Sequence, residues 1–183
     1  MAAKVWVLFS AMALAGCQSS GTTPKAASEP LPTLGVAFAA PAWDGNTVPK
    51  DGTCQIFGGK GESPALTVSG IPAGVNAIVV EFSDRTYTPM DNGGHGVIGW
   101  KIEPGAATTT LRPVPGMTAD VGEGAWIVRD NRAAKNPAPG YRGPCSGGKG
   151  NTYEADVKAV QKLAQDGGEG KVLATGRIRL GTY

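Results

Sequence analysis

Residues 77–82 read AIVVEF, an apolar run broken only by Glu81. It is too short for a buried helix and rich in the β-branched residues that pack on a pleated surface. It therefore reads as a strand buried on both faces. Neighbouring runs repeat the pattern. VIGWKI at 97–102 and AWIVR at 125–129 are further strands, and ALTVS at 65–69 alternates as a half-buried one. VLATGRIRL at 172–180 closes the chain as a strand, with Arg177 and Arg179 alternating outward. The 28 glycines and 14 prolines stand between such runs, which is the punctuation of a mainly β fold. One segment is ambiguous. In YEADVKAVQKLAQ (153–165), Tyr153, Ala155, Val157 and Ala159 keep period two, whereas Val157, Val160 and Ala164 form a helical stripe. The reading is a strand passing into a short helix that stops at Gly167 and Gly168.

The first residues bear on compartment. Lys4 precedes the apolar stretch VWVLFSAMALA, too short to span a bilayer comfortably, which ends in Leu14-Ala15-Gly16-Cys17. This resembles a bacterial lipobox: small residues suit a signal peptidase, and Cys17 at the new N-terminus accepts lipid (palmitate among the acyl groups). The alternative is an ordinary signal peptide with a chance cysteine. Each buried methylene contributes about 0.8 kcal/mol, so several acyl chains anchor durably. Gln18, in place of the aspartate linked with inner-membrane retention, points to the periplasmic face of the outer membrane. Residues 17–34 are small, polar and proline-bearing, the composition of a tether, leaving 35–183 as one domain. Cys54 and Cys145 remain; in an oxidising periplasm they most simply pair as a disulfide, the alternative being two buried free thiols.

Generic chemistry is sparse. Net charge is +2 with no Lys/Arg cluster, which argues against nucleic-acid binding. FGGKGES at 57–63 and SGGKGN at 146–151 lack the phosphate-loop pattern, since glycine follows each lysine. No strained serine stands out for His95, the single histidine, to activate. One histidine and two dispersed cysteines do not make a zinc site. No cofactor, metal or catalytic residue is expected, and an enzyme is disfavoured.

More specific are ordered motifs: the 41–54 stretch ending in Gly52-Thr53-Cys54, SPAL at 63–66, GIPAG at 70–74, the strand ending at Asp84, GYRGPC at 140–145, and the ending LATGRIRLGTY at 173–183. Together they resemble the phosphatidylethanolamine-binding protein (PEBP) family over about residues 36–183. The resemblance implies a β-sandwich of two sheets with one or two short helices near the C-terminus. It also implies a small pocket for anionic or polar groups such as phospholipid heads. By it, Asp84 matches the family's first loop aspartate, His95 the histidine after that loop, and Pro144 the pocket rim, with Tyr141 and Asn151 completing the candidate ligand set. The departures lie in the same place. A second loop aspartate is missing, with Thr86 nearby; Gly96 replaces an aromatic; Asn151 stands where the family has a histidine; Ser146 and Gly147 replace a proline pair. Lys149 or Arg85 could supply positive charge instead. The leading expectation is a lipid-anchored periplasmic binding protein with a partly degenerate pocket; the alternative is an interaction or inhibitor module acting on an envelope protein. His95 itself could equally be a turn histidine satisfied by Asp84 or backbone.

Metabolic labelling with a palmitate analogue tests the anchor. The wild-type chain should incorporate label and Cys17→Ser should lose it entirely; label retained by Cys17→Ser would refute lipidation at this cysteine.

Overall fold

The computed structural model describes Met1, residues 29–163 and residues 169–183. Cys17, and that part of the expected short helix that falls on 164–168, lie outside the described residues. Among the described residues, eight strands form two antiparallel sheets. β1 (Gly35–Phe38), β2 (Leu66–Ser69) and β5 (Thr108–Leu111) make a small sheet in the order β1-β2-β5. β3 (Ala77–Asp84), β4 (Val97–Lys101), β6 (Ala125–Arg129), β7 (Thr152–Gln161) and β8 (Lys171–Thr182) make a larger one in the order β6-β4-β3-β7-β8. Mainly β, two packed sheets: the sandwich expected from the sequence is the observed architecture.

The core lies between the sheets. Leu66, Val68 and Leu111 from the small sheet meet Ile78, Val80, Phe82, Ile98, Trp100 and Val157 from the large one. β3 sits at the centre of the large sheet, which explains its continuous hydrophobicity. Ile78, Val80 and Phe82 face the core, while Ala77 and Val79 face outward and are buried with Val97, Val160 and the Trp126 ring. That indole lies so close over Gly99 that a Cβ there would stand 2.2 Å from it.

Further along the outer face the residues change to charge. Lys158 bonds Glu81 at 2.7 Å, and Arg85 bonds Asp91 at 2.6 Å, Glu154 at 2.9 Å and also Asp156. Arg177 joins Asp156 at 2.6 Å, and it and Arg179 are exposed as expected.

The period-two reading prevails over the helical stripe in 153–161. β7 is paired with β3 on one side and β8 on the other, so its backbone groups are taken up by two ladders. Among the described residues, helical geometry is confined to single 3-10 turns at Lys50–Gly52, Gln55–Phe57 and Thr88–Met90, away from the C-terminus.

Cys54 and Cys145 form a disulfide, with Cα atoms 5.2 Å apart across a sequence separation of 91 residues. Closing a loop of that length restricts the unfolded chain by about 4 to 5 kcal/mol in the chain-entropy account. Paired replacement by serine should therefore lower the unfolding midpoint markedly while leaving far-UV dichroism unchanged. A midpoint equal to that of the wild type would show that the bridge adds no stability.

Candidate functional site

The region to which Asp84 and His95 belong is built at one end of the large sheet. β3 ends at Asp84 because the chain turns there, and the carboxylate caps that turn: Oδ1 accepts from the backbone N–H of Thr86 at 2.9 Å and of Tyr87 at 3.0 Å. Oδ2 accepts from Asn151 Nδ2 at 2.6 Å. Asp84 is 3% exposed, so these donors replace water around a buried charge. Asn151 thus stands beside Asp84 as the family resemblance implies, but it is spent on the carboxylate.

His95 follows the tight turn at Asn92–Gly94 and returns to the sheet through its N–H, which donates to Phe82 O at 2.9 Å. Its ring is 3% exposed, edge-on to Tyr153 at 5.3 Å. Nδ1 lies 2.9 Å from the carbonyl oxygen of Arg142. A carbonyl can only accept, so Nδ1 carries the proton and the neutral ring presents a lone pair at Nε2. Burial pulls the pKa below 6.5; the Arg142 carbonyl and the Asp84 carboxylate oppose this, and the Arg142 charge adds to it. Asp84 influences the ring by charge, while the hydrogen bond that holds the ring comes from Arg142. Of the two partners expected for a turn histidine, Asp84 or backbone, the ring takes backbone.

Gly96 permits the contact with the 140–142 segment. It holds φ at +109°, and a Cβ would come within 2.8 Å of Gly140 O. Arg142 N in turn donates to His95 O at 2.8 Å, and Cys54 N to Pro144 O at 2.9 Å. The disulfide closes the same corner.

Of the expected ligand set, Asp84, His95 and Asn151 come together, and Pro144 is buried beside the disulfide. Tyr141 is placed differently. It is 1% exposed in the core, edge-on to Phe82 at 4.6 Å, and among the described residues its hydroxyl has no hydrogen-bond partner. Its aromatic ring fits an apolar interior better than a wet rim, and burial pushes its phenol pKa up. Arg85 does not supply positive charge to the site, since three carboxylates engage it. Lys149 is exposed on the 146–150 loop.

Two residues of the region escape sequence reasoning, Tyr153 and Arg142. Tyr153 is core-facing on β7, 1% exposed, and its hydroxyl accepts from Cys145 N at 3.2 Å. An arginine inside a glycine- and proline-bounded apolar motif was the signal available for Arg142. Among the described residues, no group of three or more His, Cys, Asp or Glu is placed to hold a metal ion. A surface depression of about 570 Å³ lies elsewhere, lined by Lys101, Ile102, Trp126 and Lys162 among others. Ala77, also on its wall, is at the opposite end of β3 from Asp84, roughly 23 Å away by strand rise.

The geometry matches known structures. The chain has the PEBP fold. A Chlamydia trachomatis protein described as a PEBP homologue superposes with a TM-score of 0.55 at 22% identity, over 82% of this chain and 97% of that one. YbcL of E. coli, described as a new member of the mammalian PEBP family, superposes with a TM-score of 0.51 at 20% identity, over 82% and 97%. No family model and no curated protein sequence matches the chain.

The site predicts a pH signature. A histidine whose folded pKa is depressed binds its proton more readily in the unfolded chain, so stability falls as pH drops below 6.5 towards the folded value. His95 is the only histidine, so His95→Gln should flatten that part of the stability–pH curve as read by denaturant titration at pH 7, 6 and 5. An unchanged slope in the variant would contradict the buried neutral ring.

Proposed function

We propose that the chain is a lipid-anchored member of the PEBP family, held at the periplasmic face of the outer membrane, that binds a small polar group beside His95 and catalyses no reaction. The observation that carries this reading is the His95 ring itself. Its Nδ1 is committed to Arg142 O and its pKa is lowered, which suits a fixed hydrogen-bonding group and not a proton shuttle. Asp84 has donors on both carboxylate oxygens, so it is poorly placed to act as a base. A neutral ring with Nε2 as acceptor favours a ligand that brings a donor, such as a hydroxyl or an amine. A phospholipid head group containing either would fit the fold's namesake chemistry.

A second reading has its own support. Asn151, Thr86 and Tyr87 occupy Asp84, which fills part of the family pocket with the chain's own groups. On neighbouring loops, Ile56, Phe57 and Tyr87 are 46%, 48% and 54% exposed, and Phe57 packs edge-on to Tyr183 at 6.3 Å. Such a scaffold could instead engage an envelope protein through these loops.

The single histidine gives one ring signal to follow by NMR. Titration with ethanolamine, phosphoethanolamine and glycerol phosphate should shift that signal saturably, and Asp84→Asn should weaken the binding at least tenfold. A His95 signal indifferent to all three would remove the small-ligand reading. If Phe57→Ala then abolished capture of a detergent-solubilised envelope protein, the interaction reading would replace it.

A further inference from the structure

At the end of the large sheet opposite Asp84 and His95, four strand ends meet: the starts of β3 and β6 and the ends of β4 and β7. The depression of about 570 Å³ lies among them, within the size range of small-molecule pockets. Backbone bonds knit its rim. Lys101 N donates to Gly124 O at 2.8 Å, and Ile102 N to Asn76 O at 3.1 Å. The Asn76 side chain grips the backbone of Lys162 twice: Nδ2 donates to its carbonyl at 3.0 Å, and Oδ1 accepts from its N–H at 2.8 Å. Walls tied in this way stand before any ligand arrives, so little ordering is left for binding to impose.

The wall joins two chemistries. Ala77, Ile102, Trp126 and Leu163 make it apolar, and Leu163 is 47% exposed. Gly99 lets the Trp126 indole lie against the sheet, and the Lys162 ammonium stands 5.6 Å from the indole centroid. Lys101 brings a second ammonium to the same wall. It is exposed, and among the described residues the ion pairs engage Lys60, Lys158, Arg85, Arg129 and Arg177 but not Lys101. No carboxylate lies on the described wall. Glu103 and Glu123, next in sequence to Ile102 and Gly124, are exposed and do not pair with Lys101. A neutral apolar guest would leave Lys101 unanswered, and a small hydrated anion would leave the apolar wall wet. A guest with both parts answers both.

We propose that this depression is a second binding site, which takes an organic carboxylate with an apolar body. The carboxylate faces Lys101 and Lys162, and the body lies against Trp126, Ile102 and Leu163. The site is independent of the small-ligand reading at His95, since Ala77 on its wall and Asp84 stand at opposite ends of β3. Its ligand brings negative charge, where the His95 ring asks for a donor. An alkyl chain and an aromatic ring both supply the apolar body, so one probe of each enters the test.

Trp126 Nε1 is sealed from solvent and has no hydrogen-bond partner among the described residues, so its indole N–H signal in NMR is a local reporter. The full chain is titrated with octanoate, phenylacetate, acetate and octanol at pH 7 and constant ionic strength. Octanoate and phenylacetate should each shift the signal saturably. Acetate, which lacks the body, and octanol, which lacks the charge, should bind at least tenfold more weakly than octanoate. Lys101→Gln, at an exposed position, should weaken octanoate about fivefold and leave octanol unchanged. Lys60→Gln, whose lysine pairs with Asp51, should bind as the wild type does. Octanoate binding tighter than phenylacetate would assign an alkyl body, and the reverse order an aromatic one; either order supports the site. A Trp126 signal unmoved by both carboxylates, octanol binding as tightly as octanoate, or affinity undiminished in Lys101→Gln would overturn it. The His95 ring, read in the same spectra, keeps the two sites apart: octanoate moving that ring and not Trp126 would also overturn this one.

Discussion

The hydrogen bond from His95 Nδ1 to the carbonyl of Arg142 joins two parts of the chain that share no ladder. Residues 140–145 belong to neither sheet, yet they cross the end of the large one and are fixed there from every side. Arg142 N returns a bond to His95 O, Met117 N donates to Tyr141 O at 2.7 Å, and Cys54 N donates to Pro144 O. The disulfide adds a covalent tie to the same segment. Without these contacts Arg142, Pro144 and the donor to Tyr153 would have no set position. The segment is held by backbone polarity, and the side chains it carries are placed as a consequence.

From that one bond the chemistry of the region follows. Because the carbonyl can only accept, it fixes the histidine tautomer, and burial then keeps the ring neutral. Asp84 is a buried carboxylate made tolerable by three donors, one of them from Asn151. A histidine at position 151 would bring a titratable group to that carboxylate; asparagine brings a neutral donor. The His95 ring, its Nδ1 committed to a carbonyl, is thus suited to holding a shape and a hydrogen-bond pattern. Positive charge enters the neighbourhood through Arg142, from a direction that the motifs do not suggest.

Much of the fold was legible. AIVVEF at 77–82 announced the central strand because a strand covered on both faces must be apolar on both, and Glu81 marked where the outer face turns from packing to ion pairs. The 153–161 segment was ambiguous because Val157 belongs to both the period-two set and the helical stripe; only the partner strands on both sides decide it. At the site, motif order placed Asp84, His95 and Asn151 together. What it could not give was the direction of each hydrogen bond. Whether a histidine answers to a nearby carboxylate or to a distant carbonyl depends on the path of residues 140–145, which long-range contacts determine. Tyr141 was misplaced for the same reason: a motif fixes its neighbours in sequence but not which side of the segment faces the core. Arg85 looked available until the outer face brought Glu154 and Asp156 beside it.

The region's chemistry turns on the protonation pattern of one imidazole, and the chain contains only one. Nitrogen-15 chemical shifts of the His95 ring at pH 7 measure it directly. A protonated Nδ1 and an unprotonated Nε2 are expected. A ring protonated at Nε2 with a bare Nδ1, or one charged at both nitrogens, would be incompatible with the hydrogen bond to Arg142 as the organising contact.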